Sequence, residues 1–314
     1  MTCQKSDIYD RIGMRKDRLF GNLILMLTAL IWGTAFAFQR AGMEQIGPLT
    51  FVASRMTLSA AAVGFAALLR GWRAPRQKTE TKSDIKRTVT GGICCGTVLA
   101  LASIFQQSGI VYTTAGKAGF ITALYILIVP VINHVIFKKR STWIVWLSVL
   151  LGVAGMYLLC MTESLSLSTG DALICACAAL FSAHILCCDR FVSGSDPVRI
   201  SAVQFITATL ISWIAAFMLE TPSLRSIVPA AVPILYCGIM SGGVGYTLQL
   251  VAQKRTDPTV ASLLMSFEAV FAVIAGALLL HEKMSARELL GCAVMFAAII
   301  AVQLPAARKD GTAP

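Results

Sequence analysis

Arg55, His184 and Glu268 are ionisable side chains set inside stretches of sequence that are otherwise apolar. A charge or titratable ring surrounded by hydrocarbon is costly, so each needs a partner, a proton or a ligand. Glu268 follows Pro258 by ten positions, ~15 Å along a helix. That depth suits contact with a substrate or coupling to a proton, and it equally suits a hydrogen bond that ties neighbouring helices together. Arg55 lies about 9 Å into its run on the same helical scale. Its guanidinium is fitted to grip a substrate carboxylate bidentately, or to snorkel outward or bond helix carbonyls. His184 reads as a proton carrier or as a satisfied packing partner. Trp32, Gln106, Tyr125, Tyr246 and Gln249 complete the candidate set. Their aromatic faces and amides suit a polar organic ligand, and each also suits a contact inside a helix bundle.

These residues do not form a catalytic set. The three histidines, His134, His184 and His281, are far apart along the chain. There is no phosphate-binding Gly-x-x-x-x-Gly-Lys-[Ser/Thr] run and no zinc-protease helix motif. An ATP-driven mechanism therefore has no engine here, and neither a cofactor nor a metal is expected. The ten cysteines lack the spacing and polar context of a zinc site and read as small packing residues. An intramembrane enzyme would need catalytic polar groups clustered near one interface, and none is found. A structural or signalling membrane protein would need no central cavity.

The elements that position the candidates follow from hydropathy. The chain of 314 residues is 56% hydrophobic and only 14% charged, well below the charged content of ordinary soluble domains. Apolar runs long enough to cross a bilayer as helices recur. They predict ten spans, near 20–38, 49–69, 88–111, 115–137, 142–161, 171–192, 200–219, 229–252, 258–280 and 286–304. The first run is longer than a signal-peptide core and is read as a retained span.

The net charge of +11 invites a nucleic-acid reading, but the basic residues cluster in the loops. With a cytoplasmic N-terminus, 21 Lys and Arg fall on the inner side and 5 on the outer side, and Arg55 lies within the second span. This positive-inside bias puts both termini in the cytoplasm of a cell-membrane protein and argues against nucleic acid as a partner.

The two halves resemble each other. Thr113 to Ala118 can be laid on Thr256 to Ala261, which sets Gln106 opposite Gln249 and Tyr125 opposite Glu268. Earlier in each half, Pro48 falls near the counterpart of Pro197, and Arg55 near that of Gln204. Five spans per half is an odd number, so the halves enter the membrane in opposite senses. Inverted repeats of this kind place a substrate site at their interface near the midplane. The expected fold is an all-α membrane protein of ten transmembrane helices in two inverted five-helix repeats, 20–161 and 170–304, with cytoplasmic segments 1–19 and 305–314. Gly92-x-x-x-Gly96 and Gly238-x-x-x-Gly242 have the spacing of close-approach faces. The run Ser241-Gly242-Gly243-Val244-Gly245 weakens its helix and reads either as simple packing against a neighbour or as a moving or unwound segment.

At these residues the chain resembles the EamA-type ten-helix transporters of the drug/metabolite transporter superfamily. Ile31-Trp32-Gly33-Thr34-Ala35-Phe36 resembles their Trp-Gly signature, and Pro48 followed by Arg55 is similar to the start of their second helix. Ser266-Phe267-Glu268-Ala269-Val270-Phe271 resembles the ninth-helix Glu-Pro-Val-Phe motif, with Ala269 where that family usually has proline. Leu280-His281-Glu282-Lys283-Met284-Ser285 resembles the polar turn before its tenth helix. The resemblance implies a central cavity, a small-molecule substrate and metabolite transport, often amino-acid export. Uptake or exchange of a vitamin, nucleoside or sugar derivative stays open, as do proton coupling and a homo-oligomer.

The charge bias generates a topological prediction. With the native cysteines replaced, Gln77→Cys should react with a membrane-impermeant maleimide only after permeabilisation. Labelling of intact cells would overturn the orientation.

Overall fold

Several helix starts in the structure, a computed structural model, fall where the sequence supplies caps. The structure describes residues 2–73, 81–112, 115–139, 141–160, 168–279 and 285–303. The polar turn at 280–284, the tail 305–314 and positions 74–80 of the basic loop lie outside them. The regular elements among the described residues are all helical: α1 (Thr2–Met43), α2 (Pro48–Arg73), α3 (Lys82–Ile110), α4 (Ala115–Ala123), α5 (Tyr125–Val135), α6 (Trp143–Cys160), α7 (Thr169–Val192), α8 (Pro197–Leu219), α9 (Leu224–Ile227), α10 (Ala231–Leu235), a π-helix (Tyr236–Tyr246), α11 (Thr247–Gln253), α12 (Pro258–Met265), α13 (Glu268–Leu279) and α14 (Ala286–Gln303).

Seven segments among the described residues are long and apolar enough to cross a bilayer, and Trp143–Leu158 and Pro258–Ile274 are shorter apolar helices. The tenth predicted run coincides with α14. α3 starts earlier than hydropathy indicated because Thr81 and Asp84 form a capping box, each side chain accepting from the other's backbone N–H. α8 starts early because Asp196 Oδ1 accepts from the N–H groups of Val198 and Arg199, with proline in the first turn.

Packing runs chiefly between the halves. α3 lies on α7 and α8, α1 on α13, and α2 on both α8 and the π-helix. α2 packs on α8 and α6 on α14, so two of the element pairs that the sequence repeat matches touch each other, an arrangement that fits a pseudo-two-fold axis. The glycine pairs set these approaches. Gly96 sits on the backbone of Gln204 in α8, and Gly238 of the π-helix sits on α2, where an added Cβ would meet the Arg55 carbonyl oxygen at 3.0 Å and Leu58 Cβ at 2.7 Å. The two motifs therefore do the same work in the two halves, in the manner of close-packed membrane helices.

The ninth predicted span breaks even without its proline. α12 ends at Met265, and α13 begins at Glu268. Ser266 Oγ donates to the Leu263 carbonyl at 2.8 Å, and short-range backbone bonds carry the chain through the break. The fourth predicted span breaks at the corresponding point, between α4 and α5, with Leu124 in the turn. The glycine run is neither unwound nor a regular α-helix: it lies in the π-helix, whose wider turns remain hydrogen-bonded along the axis.

The second and eighth helices are tied end to end. α2 has Gly47 where α8 has its capping Asp196, and the missing acceptor comes from Glu220 at the end of α8. The Glu220 carboxylate accepts from Leu49 N at 2.9 Å and from Thr50 N at 2.8 Å. A Cβ at position 47 would stand 2.5 Å from it. At the other end of this helix pair, Arg70 of α2 meets Asp196 at 3.6 Å. Glu220→Ala should lower unfolding stability by about 1–2 kcal/mol, as loss of a helix cap does. An unchanged thermal midpoint in detergent would refute the cap.

Candidate functional site

Tyr125 and Glu268 are the first residues of α5 and α13, the second halves of the two broken helices. Both side chains are buried, and Tyr125 Oη donates to Glu268 Oε1 at 3.0 Å. The residues that the sequence repeat sets opposite each other thus meet side chain to side chain. Gly33 allows this junction to sit against α1: a Cβ there would lie 2.6 Å from the Glu268 carbonyl oxygen and 2.7 Å from Phe271 Cβ. Trp32, the preceding residue, donates from Nε1 to the Ser241 carbonyl at 3.1 Å and packs 4.7 Å from the Tyr246 ring. The Trp-Gly pair therefore has two separate tasks, one on each side of α1.

A cavity of about 40 Å³ lies at this junction, room for two or three waters on the ~15 Å³ that each requires. Trp32, Arg55, Gln106, Tyr125, His184, Tyr246, Gln249 and Glu268 all line it. The fold brings the eight candidates together although they come from separate elements in both halves. His184 Nε2 pairs with Gln204 Oε1 at 3.0 Å, and Cys188 Sγ lies 3.5 Å from the same nitrogen. The histidine is therefore both a partnered buried group and part of the wall. Gln106 Nε2 reaches Thr122 Oγ1 at 3.5 Å, a long contact. Arg55 does not snorkel. It is 3% exposed, and its Nε and Nη2 have no hydrogen-bond partner. Both amide atoms of Gln249 are likewise unpartnered.

Sequence reasoning missed Phe36, Gln39, Thr122, Phe181, Ile185 and Ser241, which complete the wall. Helical spacing carried a signal for three of them. Phe36 and Gln39 follow Trp32 by four and seven positions, and Phe181 precedes His184 by three, so each shares a helix face with a candidate. Ser241 had no such signal, because the π-helix alters the angular step that would have located it. Among the described residues no group of three or more His, Cys, Asp or Glu is arranged to hold a metal ion.

The comparisons with known proteins agree with this architecture. The chain matches the EamA-like transporter family over residues 19–161 and again over 168–304. An uncharacterized transporter of Archaeoglobus fulgidus is 28% identical over 91% of this chain and 87% of its own length. The uncharacterized transporters YoaV and YcxC of Bacillus subtilis are 21% and 24% identical, over 85% and 90% of this chain and 91% and 93% of their own lengths. A crystal structure with 19% sequence identity superposes with a TM-score of 0.75 over 90% of this chain and 96% of its own, a likeness of fold. The chain belongs to the EamA-like transporter family, within the drug/metabolite transporter superfamily. It is a multi-pass membrane transporter rather than an enzyme.

The central hydrogen bond is testable through stability. Tyr125→Phe keeps the ring and removes the donor, leaving the Glu268 carboxyl buried without it. Unfolding stability should fall by about 1–3 kcal/mol. Glu268→Gln should cost less, because a carboxamide oxygen still accepts from Tyr125. Equal stability of native protein and Tyr125→Phe would show that the bond contributes nothing.

Proposed function

We propose that this protein is a secondary transporter that moves a small polar metabolite, an amino acid or a related compound, through the central cavity by alternating access. The direction we assign is export across the cell membrane, with both termini cytoplasmic. The observation that carries this reading is the meeting of two broken helices at a polar cavity walled by both halves. Irregular backbone at membrane depth is tolerated where it is enclosed by protein or lines a cavity, and half-helix junctions are where secondary transporters bind their cargo.

The cavity in this conformation is too small for a metabolite, so substrate enters only when the walls part. Alternating access requires such a contracted state between openings to either side. The repeats are interlocked through α1–α13, α2–α8 and α3–α7. Opening on one face must then be paid by repacking along these contacts. Without an ATP-binding motif, uphill movement draws on an ion gradient or on exchange. Glu268 is the group to which we assign proton coupling, since it combines a titratable carboxyl, burial and a place in the cavity wall.

Reconstitution in liposomes tests the proposal. Labelled amino acids and related metabolites are offered with and without a pH gradient, and at least one should show saturable flux that the gradient changes. Glu268→Gln should remove the pH dependence. Flux and pH dependence equal to those of the native protein would take Glu268 out of the mechanism. A folded protein with no flux or binding for any compound would sink the transport reading.

A further inference from the structure

Arg55 is a buried charge without a compensating partner among the described residues. The guanidinium keeps its proton in any protein environment, and burying a charge without a partner is among the most costly arrangements in a fold. The carboxylates of the neighbouring helices have other partners. Glu220 caps α2, Glu268 accepts from Tyr125, Asp196 meets Arg70, and Asp189 meets Lys139 at 3.6 Å. Among the described residues no carboxylate lies within ion-pair distance of Arg55. Two of its three nitrogens, Nε and Nη2, are unpartnered, and the side chain borders the cavity.

The position is held, not accidental. The Arg55 carbonyl accepts from Ser59 Oγ at 2.9 Å, and the same hydroxyl donates to the Gly238 carbonyl at 2.7 Å. Gly238 packs directly on this stretch of α2. The backbone that carries the guanidinium is thus fixed against the π-helix. Gln249, from α11, brings an unpartnered amide with both a donor and an acceptor to the same cavity. Arg55, Tyr246 and Glu268 all line this cavity. The cavity wall therefore carries both a guanidinium and a carboxyl group.

We infer that Arg55 is a specificity-determining residue that selects solutes by a carboxylate group, with the Gln249 amide as a second donor. The inference rests on the transport reading above and names the end of the substrate that the cavity recognises first. Two parallel N–H···O bonds from a guanidinium fit the planar geometry of a carboxylate. The Glu268 carboxyl in the same wall disfavours a dianion, so a single negative charge is the better match. Binding supplies the missing counter-charge to Arg55. Solutes that cannot supply it leave a buried cation unpaired, and selection against them follows from that cost.

The test compares acids with their neutral analogues on the native protein in lipid nanodiscs. L-Amino acids and short monocarboxylic acids, their carboxamides and the corresponding amines are assayed at equal concentration by thermal stabilisation and by counterflow in liposomes. At least one acid should bind, and its amide should bind on the order of 10- to 100-fold more weakly, the size of a lost charge-assisted contact. Arg55→Gln should abolish the difference between acid and amide. Arg55→Lys, which keeps the charge but not the fork, should retain part of it. An amide or amine that binds native protein as tightly as the acid would overturn the inference, as would a folded Arg55→Gln protein that keeps the acid preference. Flux without a carboxylate preference removes only the role of Arg55. Absence of both flux and stabilisation for every compound removes the transport reading and this inference with it.

Discussion

The hydrogen bond from Tyr125 to Glu268 joins the two broken helices at their breaks, where their chains are least able to look after themselves. Each helix stops and restarts at this level, which frees backbone groups in a region without bulk water. A hydrogen bond in so poorly screened a place is electrostatically stronger than in water, and an unmade one is correspondingly costly. The partners are the first residues of α5 and α13, so the bond also fixes how the two half-helices face each other. Around it the cavity takes its shape: α1 closes against the junction at Gly33, and Trp32 carries the contact onward to the π-helix.

The repeat architecture explains how such a junction can be built twice and used once. The two glycine motifs perform matching approaches, Gly96 on α8 and Gly238 on α2, so the backbones of the two halves pack alike. The side chains at equivalent places do not. The sequence repeat sets Arg55 near the counterpart of Gln204, which is occupied with His184, and Glu268 opposite Tyr125. In each pair one partner is a guanidinium or a carboxyl group and the other is an uncharged amide or phenol. Packing symmetry thus supports the scaffold, and broken symmetry in the charges gives the cavity its polarity. The caps follow the same rule: Asp196 caps α8 from its own chain position, whereas Gly47 leaves α2 to be capped by Glu220 from across the interface.

Much of the fold was legible because the bilayer constrains sequence so tightly. Apolar runs had to be helices, and their order and loop charges carried the repeat. The helix breaks were less legible. The ninth span has Ala269 in place of a proline and breaks nonetheless, where Ser266 supplies a backbone-directed hydroxyl, and Leu124 turns the fourth span with no side-chain cap. The glycine run announced an irregularity without naming it. Its π-helical form depends on packing against α1 and α2, including the Trp32 bond to the Ser241 carbonyl.

The sequence by itself determined that the chain is helical and membrane-embedded, that its halves correspond, and which polar side chains demand a reason for being inside. Hydropathy and residue type are properties of a segment, and they survive without knowledge of neighbours. Only the tertiary structure decided which face of each helix turns inward, and so which polar groups find partners. Hydropathy does not set the rotation of a helix about its axis; the contacts with adjacent helices do. That is why His184 proves to be paired with Gln204, and Glu268 with Tyr125, while Arg55 stands beside the cavity with nitrogens unbonded.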